Sequence, residues 1–248
     1  MVYSFEALIF ISFVFLFAAF IHGSIGFTFP MISTSLLAVV TDLQTAIMLT
    51  LIPTILVNVV TIITEGNVKQ AFKQHFTLAL FAILGSILGT LLLIYTNSDV
   101  FKGLLAFSII FYLISGKLKI KMSWIALNPN SSRVVFGLAA GVLGGLTNVM
   151  APILIIYAIE SKFDKRQIIQ ASNFCFLGGK IVQLAIFSSY GKFTGDELSI
   201  SLFTVCVVAV ALYFGVSVKK KINAALYGKL LKGLLMILAI ILLLRIAL

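Results

Sequence analysis

A lysine at position 180 stands about thirteen residues into an apolar run, in Gln170-Ala-Ser-Asn173-Phe-Cys-Phe-Leu-Gly178-Gly179-Lys180-Ile-Val-Gln183. An ammonium group at mid-helix in hydrocarbon costs about 2.5–3.5 kcal/mol on insertion scales, so it demands a partner or a wet cavity. Glu6, at the outer edge of the first apolar segment, is the one carboxylate within any such segment, so a bound anion is the natural counterion for Lys180. Asn173 lies two turns back on the same helical face and Gln183 follows at i+3, so Asn173, Lys180 and Gln183 form a polar stripe.

Two glycine-rich, proline-ended interruptions accompany it. The first reads Gly23-Ser-Ile-Gly26-Phe-Thr-Phe-Pro30 and the second Gly141-Val-Leu-Gly144-Gly145-Leu-Thr-Asn148-Val-Met-Ala-Pro152. A shift of 122 residues lays Gly145 on Gly23, Pro152 on Pro30, Ala140 on Ala18 and Asp164 on Asp42. Gly and Pro cost a helix interior roughly 1 and 3 kcal/mol relative to Ala. At membrane depth a broken backbone persists only where it lines a cavity, and paired breaks in two halves mark a ligand site. Helix starts at such breaks favour oxyanions. Gly23, Gly26, Gly144 and Gly145 would let backbone approach an anion, with Ser24, Thr28, Thr147 and Asn148 adding donors. The competing role for these small polar residues is capping and interhelical hydrogen bonding. Asn58, 122 residues before Lys180, and His22, beside Gly23, are secondary candidates, His22 reading more readily as a structural bond.

The elements that position these residues are membrane spans. Hydrophobic residues make up 61% of the 248 and charged residues 10%, against a globular norm of about 25% charged. Apolar stretches near 5–21, 24–40, 43–64, 76–95, 100–115, 133–147, 148–159, 168–189, 198–216 and 229–247 approach the length that spans hydrocarbon. The first lacks a basic n-region and reads as a retained helix rather than a cleaved signal. If all ten cross, 14 of the 18 basic residues fall on one side: Lys69, Lys73, Lys117, Lys119, Lys121, Arg133, Lys162, Lys165, Arg166, Lys219, Lys220, Lys221, Lys229 and Lys232. Lys102, Lys192 and Arg245 fall on the other, and Lys180 within a segment. Counting each broken pair as one crossing divides the positives 8 against 9 and abolishes the bias. Basic residues collect in cytoplasmic loops, so an odd number of passes per half, with inverted halves, is expected. Re-entrant breaks give the same parity. The formal charge of +10 is thereby a topology signal rather than a nucleic-acid footprint.

The duplication recurs in Lys102-Gly103-Leu104-Leu105 and Lys232-Gly233-Leu234-Leu235, each expected to open the last helix of its half, and Gly89 pairs more weakly with Gly215. The connection 116–133, with Trp124 and Asn128-Pro129-Asn130, suits a linker on lipid headgroups. Asp42 and Asp164 read as N-caps, His75 as interfacial, and Cys175 and Cys206 as small packing residues. No HExxH, nucleophile elbow, P-loop or CxxC pattern occurs, which argues against an enzyme, a cofactor, a metal site or an ATP-driven pump. Helix interiors without carboxylates argue against a carboxylate proton relay and favour uniport or potential-driven movement.

The paired Gly-rich, Pro-ended segments, the duplication and the length resemble the sulfite exporter TauE/SafE family, also called the toluene sulfonate uptake permeases. The second break, Gly141 to Pro152, carries the resemblance best; the first departs from it at Ser24, Ile25 and Phe27, where a denser glycine run is usual. The resemblance implies transport of small, often sulfur-containing anions: sulfite, thiosulfate, sulfonates, sulfoacetate. The expected fold is an all-α polytopic membrane protein of two inverted repeats, about five hydrophobic segments each, with broken helices at the repeat interface. Residues 1–115 form the first repeat, 116–132 a cytoplasmic linker and 133–248 the second. The expected function is a secondary anion permease in a prokaryotic inner (plasma) membrane, partnered by a small anion and the bilayer. An anion channel is the nearest alternative and a non-transporting accessory protein the next. The sequence carries no signal for oligomeric state.

Overall fold

The computed structural model describes residues 4–97, 100–115, 122–219 and 224–247. Lys117, Lys119, Lys121, Lys220 and Lys221 of the basic loops lie outside these residues. The elements in order are α1 (Phe5–Ile25), α2 (Phe29–Ala38), α3 (Leu43–Glu65), α4 (Val68–Tyr95), α5 (Val100–Ser115), α6 (Ser123–Leu127), α7 (Pro129–Thr147), α8 (Ala151–Glu160), α9 (Lys165–Ser189), α10 (Gly195–Val218) and α11 (Ala224–Ala247). The described residues are thus all-helical, and five helices, α1, α3, α4, α9 and α10, are long and apolar enough to cross a membrane. On α4 the exposed residues Phe72, Phe76, Leu80, Leu84, Leu88 and Leu92 recur every fourth position. That stripe suits hydrocarbon. α2 and α8 have ten residues each, about 15 Å of helix and half the hydrocarbon thickness.

Helix starts follow local chemistry. Asp42 caps α3 by accepting the Thr45 N–H at 2.9 Å. Asp164 caps α9, accepting from Gln167 N–H at 2.8 Å while Gln167 Oε1 accepts from the Asp164 N–H at 2.9 Å, a reciprocal box that satisfies two orphan amides. Both aspartates therefore cap, as expected.

Contacts sort the helix ends. Lys219 pairs with Glu65, Gln170 donates to the Gly66 carbonyl at 2.7 Å, and Met122 N–H donates to Glu160 at 2.9 Å. These pairs gather the ends of α3, α8, α10 and the starts of α4 and α9 at one end of the bundle, hereafter the basic end. At the opposite end the Tyr95 and Tyr190 hydroxyls meet at 2.8 Å. α1 finishes at the basic end beside Glu65, so α2 runs back toward the start of α3.

Packing is exchanged between halves. α4 lies against α7 and α9, α10 against α1 and α3, α3 against α9, and α5 against α11. The two closest seams are made by glycines. A Cβ on Gly23 would stand 2.8 Å from the Val216 nitrogen and 2.9 Å from the Gly215 Cα, and one on Gly145 would stand 2.8 Å from the Ser86 carbonyl oxygen and 2.9 Å from the Thr90 nitrogen. Gly89 meets Gly145 from the α4 side as Gly215 meets Gly23 from α10. Close backbone approach of this kind is how helices associate in lipid, where no hydrophobic force drives them together.

Several expectations are corrected. Of the glycines only Gly26 breaks the chain: Gly23 lies inside α1, and Gly141, Gly144 and Gly145 lie inside α7, while the interruptions fall at Gly26–Thr28 and Asn148–Met150. Backbone packing holds those helical glycines where they are. α7 begins at Pro129, four residues before the expected 133, with proline in the first turn where a missing N–H is harmless. Lys102 opens α5, but Lys232 lies two turns inside α11. His75 is buried against the Phe163 ring, centroids 5.3 Å apart, rather than interfacial. Cys175 is buried, whereas Cys206 faces outward.

Candidate functional site

α3 and α9 form the spine of the site. Thr50, Thr54, Asn58 and Thr61 follow at i+4, i+4 and i+3 along α3, and all are buried. Asn173, Lys180 and Gln183 make the facing stripe on α9, each fully buried. Between Thr50 and Thr54, Pro53 removes the amide that would close the helix onto Leu49. The α9 stripe was legible in the sequence; the α3 threonines were not singled out, although their spacing is helical.

Four hydrogen bonds tie both interrupted segments to these helices. His22 Nε2 and Thr61 Oγ1 lie 3.0 Å apart, and Asn173 Nδ2 donates to the Gly26 carbonyl at 2.6 Å. Asn148 Nδ2 donates to Thr50 Oγ1 at 2.8 Å, and Gln183 Nε2 donates to the Gly145 carbonyl at 3.0 Å. The first break thus sits at the level of Thr61 and Asn173, the second at the level of Thr50 and Gln183, and α3 and α9 run antiparallel between them. Ten residues of α9 separate the two levels, about 15 Å. Thr54, Asn58 and Lys180 lie in this interval, closed at each end by one break.

The first break is built as follows. α1 ends where Gly26, at φ 111°, turns left-handed and its N–H returns to the His22 carbonyl. Phe29 N–H, at the start of α2, donates to His22 Nδ1 at 3.1 Å. A ring nitrogen that accepts an amide proton carries none, so the His22 proton is on Nε2 and is donated to Thr61. His22 is the structural bond expected. Ser24 donates to the Phe20 carbonyl at 3.1 Å and the Gly215 carbonyl at 3.3 Å, tying α1 to α10. Thr28 Oγ1 is buried and without a partner.

In the second break Asn148 takes the left-handed turn, at φ 66°, and its N–H bonds the Gly144 carbonyl. Its side-chain nitrogen also reaches Thr34 Oγ1 on α2 at 2.6 Å. Thr50 gives its own hydroxyl proton to the Ile47 carbonyl at 2.7 Å, so the amide nitrogen must face it and Asn148 Oδ1 is left unpartnered. Thr147 Oγ1 donates to the Leu143 carbonyl at 2.8 Å and accepts the Val149 N–H at 3.3 Å, a local cap. Gly144 abuts the Met150 side chain. Asn148→Gly keeps the left-handed turn and loses both side-chain bonds, so an apparent stability loss of about 1–3 kcal/mol is expected from the unpaired groups. Thermal unfolding in detergent checks this; an unchanged transition would mean the bonds to Thr34 and Thr50 are idle.

Lys180 Nζ donates to Gln183 Oε1, whose amide nitrogen holds Gly145. Among the described residues no carboxylate lies within ion-pair distance of Lys180. Asn58 has neither side-chain atom partnered, and Asn173 Oδ1 is also free because its nitrogen is committed to the Gly26 and Ile169 carbonyls. The interval therefore holds one ammonium, bonded to Gln183, and one wholly unpartnered amide, Asn58, while Asn173 Oδ1, Asn148 Oδ1 and Thr28 Oγ1 are unpartnered at its ends. Helix starts contribute less than the sequence suggested. Pro30 and Pro152 each remove an amide from the first turn, and His22 takes the Phe29 N–H.

Lys180 and Asn58 thus lie buried between the two breaks, the ammonium bonded to Gln183 and the Asn58 amide without a partner. Neither a curated protein nor a solved structure matches the chain. The family model described as Sulfite exporter TauE/SafE matches residues 11–242, nearly the whole length. Five helices long and apolar enough to cross a membrane agree with that match: the chain belongs to the sulfite exporter TauE/SafE family of membrane transporters.

Proposed function

We propose that this protein is a secondary carrier of small anions, sulfur-containing ones such as sulfite, thiosulfate, sulfonate or sulfoacetate, working by alternating access. Residues 1–115 and 133–248 act as two inverted repeats joined by a cytoplasmic linker, 116–132, in a prokaryotic inner membrane. The exchanged contacts support this reading, because α4 on α7 and α10 on α1 become one contact seen twice if the halves are related by a twofold axis. So do the matched turns at Gly26 and Asn148, 122 residues apart. The basic end is the cytoplasmic end, consistent with the bias of lysine and arginine.

One observation carries the proposal: Lys180 is fully buried and, among the described residues, has no carboxylate beside it. An ammonium group so placed is stabilised by a compensating negative group, and a transported anion supplies it. Gly23, Ser24, Gly26 and Thr28 on one side, and Gly144, Gly145, Thr147 and Asn148 on the other, frame the path. Asn173 and Gln183 hold the two breaks, while Asn58 adds a donor and His22 latches the first break. Movement follows the membrane potential or the anion gradient.

Counterflow tests this directly. Proteoliposomes loaded with unlabelled sulfite should accumulate labelled sulfite transiently, with saturable initial rates. Currents that rise linearly with concentration and show no counterflow would identify a channel instead.

A further inference from the structure

At the basic end a cavity of about 370 Å³ opens beneath the first break, lined by Gly23, Gly26, Thr61, Thr64, Glu65, Lys165, Val216 and Lys219. Gly26 of the break lines it directly, and so does Thr61, which is bonded to His22. Two ammonium groups line it against one carboxylate, and Lys219 holds that carboxylate across the cavity, from α10 to α3. The pair is partly sheltered, with the Lys219 side chain 27% and Glu65 14% exposed. A third cation stands over the residue that follows Glu65. Arg166 lies over Gly66, close enough that a Cβ there would stand 3.2 Å from its guanidinium, and its Nε is buried without a partner. The neighbouring carboxylate, Asp164, is committed to capping α9.

We propose that this cavity is a second anion subsite, a vestibule in which Glu65 occupies Lys219 as a built-in counterion until an arriving oxyanion displaces it. With Glu65 turned away, Lys165 and Lys219 would face the anion, and Thr64, whose hydroxyl donates to the Thr61 carbonyl at 3.1 Å, belongs to the lining. Glu65 thereby keeps the vestibule near neutral when empty and lowers its hold on any anion, which favours passage over trapping. Displacing Glu65 also unties α3 from α10 at the point where α1 ends. This inference rests on the reading that an anion passes the first break, but its test does not measure transport.

The vestibule is probed by thiol chemistry on the full chain. Thr64→Cys, made with Cys206→Ser because Cys206 is exposed and Cys175 is buried, places one reactive sulfur in the lining. Its labelling rates by a sulfonate-bearing and a trimethylammonium-bearing methanethiosulfonate are compared, each divided by the rate with a free thiol. The anionic reagent is expected to react about fivefold faster, and sodium sulfate to slow it, as a locally positive potential requires. Glu65→Gln should widen the ratio about threefold, and Lys219→Gln or Lys165→Gln should narrow it by a similar factor. A preference for the cationic reagent, or a ratio indifferent to Glu65→Gln, overturns the proposal. Val216→Cys reads the same cavity from α10 should Thr64→Cys fold poorly. The ratio should survive Lys180→Met, so a failed carrier and a failed vestibule give different results.

Discussion

Lys180→Met should abolish anion counterflow while leaving the fold intact or slightly more stable. Methionine fills much the same volume without the charge, so the mutation removes a buried cation that no carboxylate among the described residues offsets. Removing an uncompensated buried charge tends to stabilise; the opposing cost is the loss of one bond to Gln183. A charge-assisted hydrogen bond to substrate is worth about 1.5–3 kcal/mol, or about 10- to 150-fold in binding. Lys180→Arg, which retains charge but not shape, should keep measurable activity with altered anion preference. Initial rates in proteoliposomes and a thermal melt of each variant check both halves. Full transport by Lys180→Met for every sulfur oxyanion tried would end the argument for Lys180 as substrate counterion.

Gly141→Ala should cost stability well beyond an ordinary surface change. The added methyl would strike the Ala82 carbonyl and stand 2.8 Å from the Ser86 nitrogen, so α4 and α7 must separate rather than a side chain rotate. Overpacking costs about 1–3 kcal/mol in well-packed interiors, and contact with backbone belongs at the upper end. Gly145→Ala, against Ser86 and Thr90 of the same helix, should behave alike, and the double variant should fail to accumulate. Gly233→Ala is the control, with no atom within 4 Å of the new methyl. Yield and melting temperature distinguish the two classes; equal tolerance at 141 and 233 would show that the α4–α7 seam is loose.

Apolar run lengths and the placement of lysines were enough to locate most helices, because hydrocarbon enforces both. Asp42 and Asp164 as caps, and Asn173, Lys180 and Gln183 as one face, followed from spacing alone. Where reading failed, the residue type had two uses. Glycine breaks helices but also lets them touch, and only packing against Gly215 or Ser86 reveals which applies at Gly23 or Gly145. The actual turn in the second break is made by an asparagine, whose left-handed conformation is uncommon for a non-glycine residue. Thr34, Thr50 and Thr61 bond partners distant in sequence, so nothing local separates them from threonines that merely cap.

Lys180 is fifteen residues from the start of α9 and nine from its end. On the proposed reading, a negative solute held there sits off-centre along α9. Were the voltage to fall evenly along α9, an anion arriving from the basic end would traverse about three-fifths of it, and one leaving by the other end the remaining two-fifths. With about 2.3 kcal/mol per unit charge per 100 mV across the whole membrane, the longer leg amounts to about tenfold in occupancy per 100 mV. In the proposed carrier the polarity of a cell would thus weigh on loading more heavily than on discharge, a rectification set by where one amino group sits along one helix.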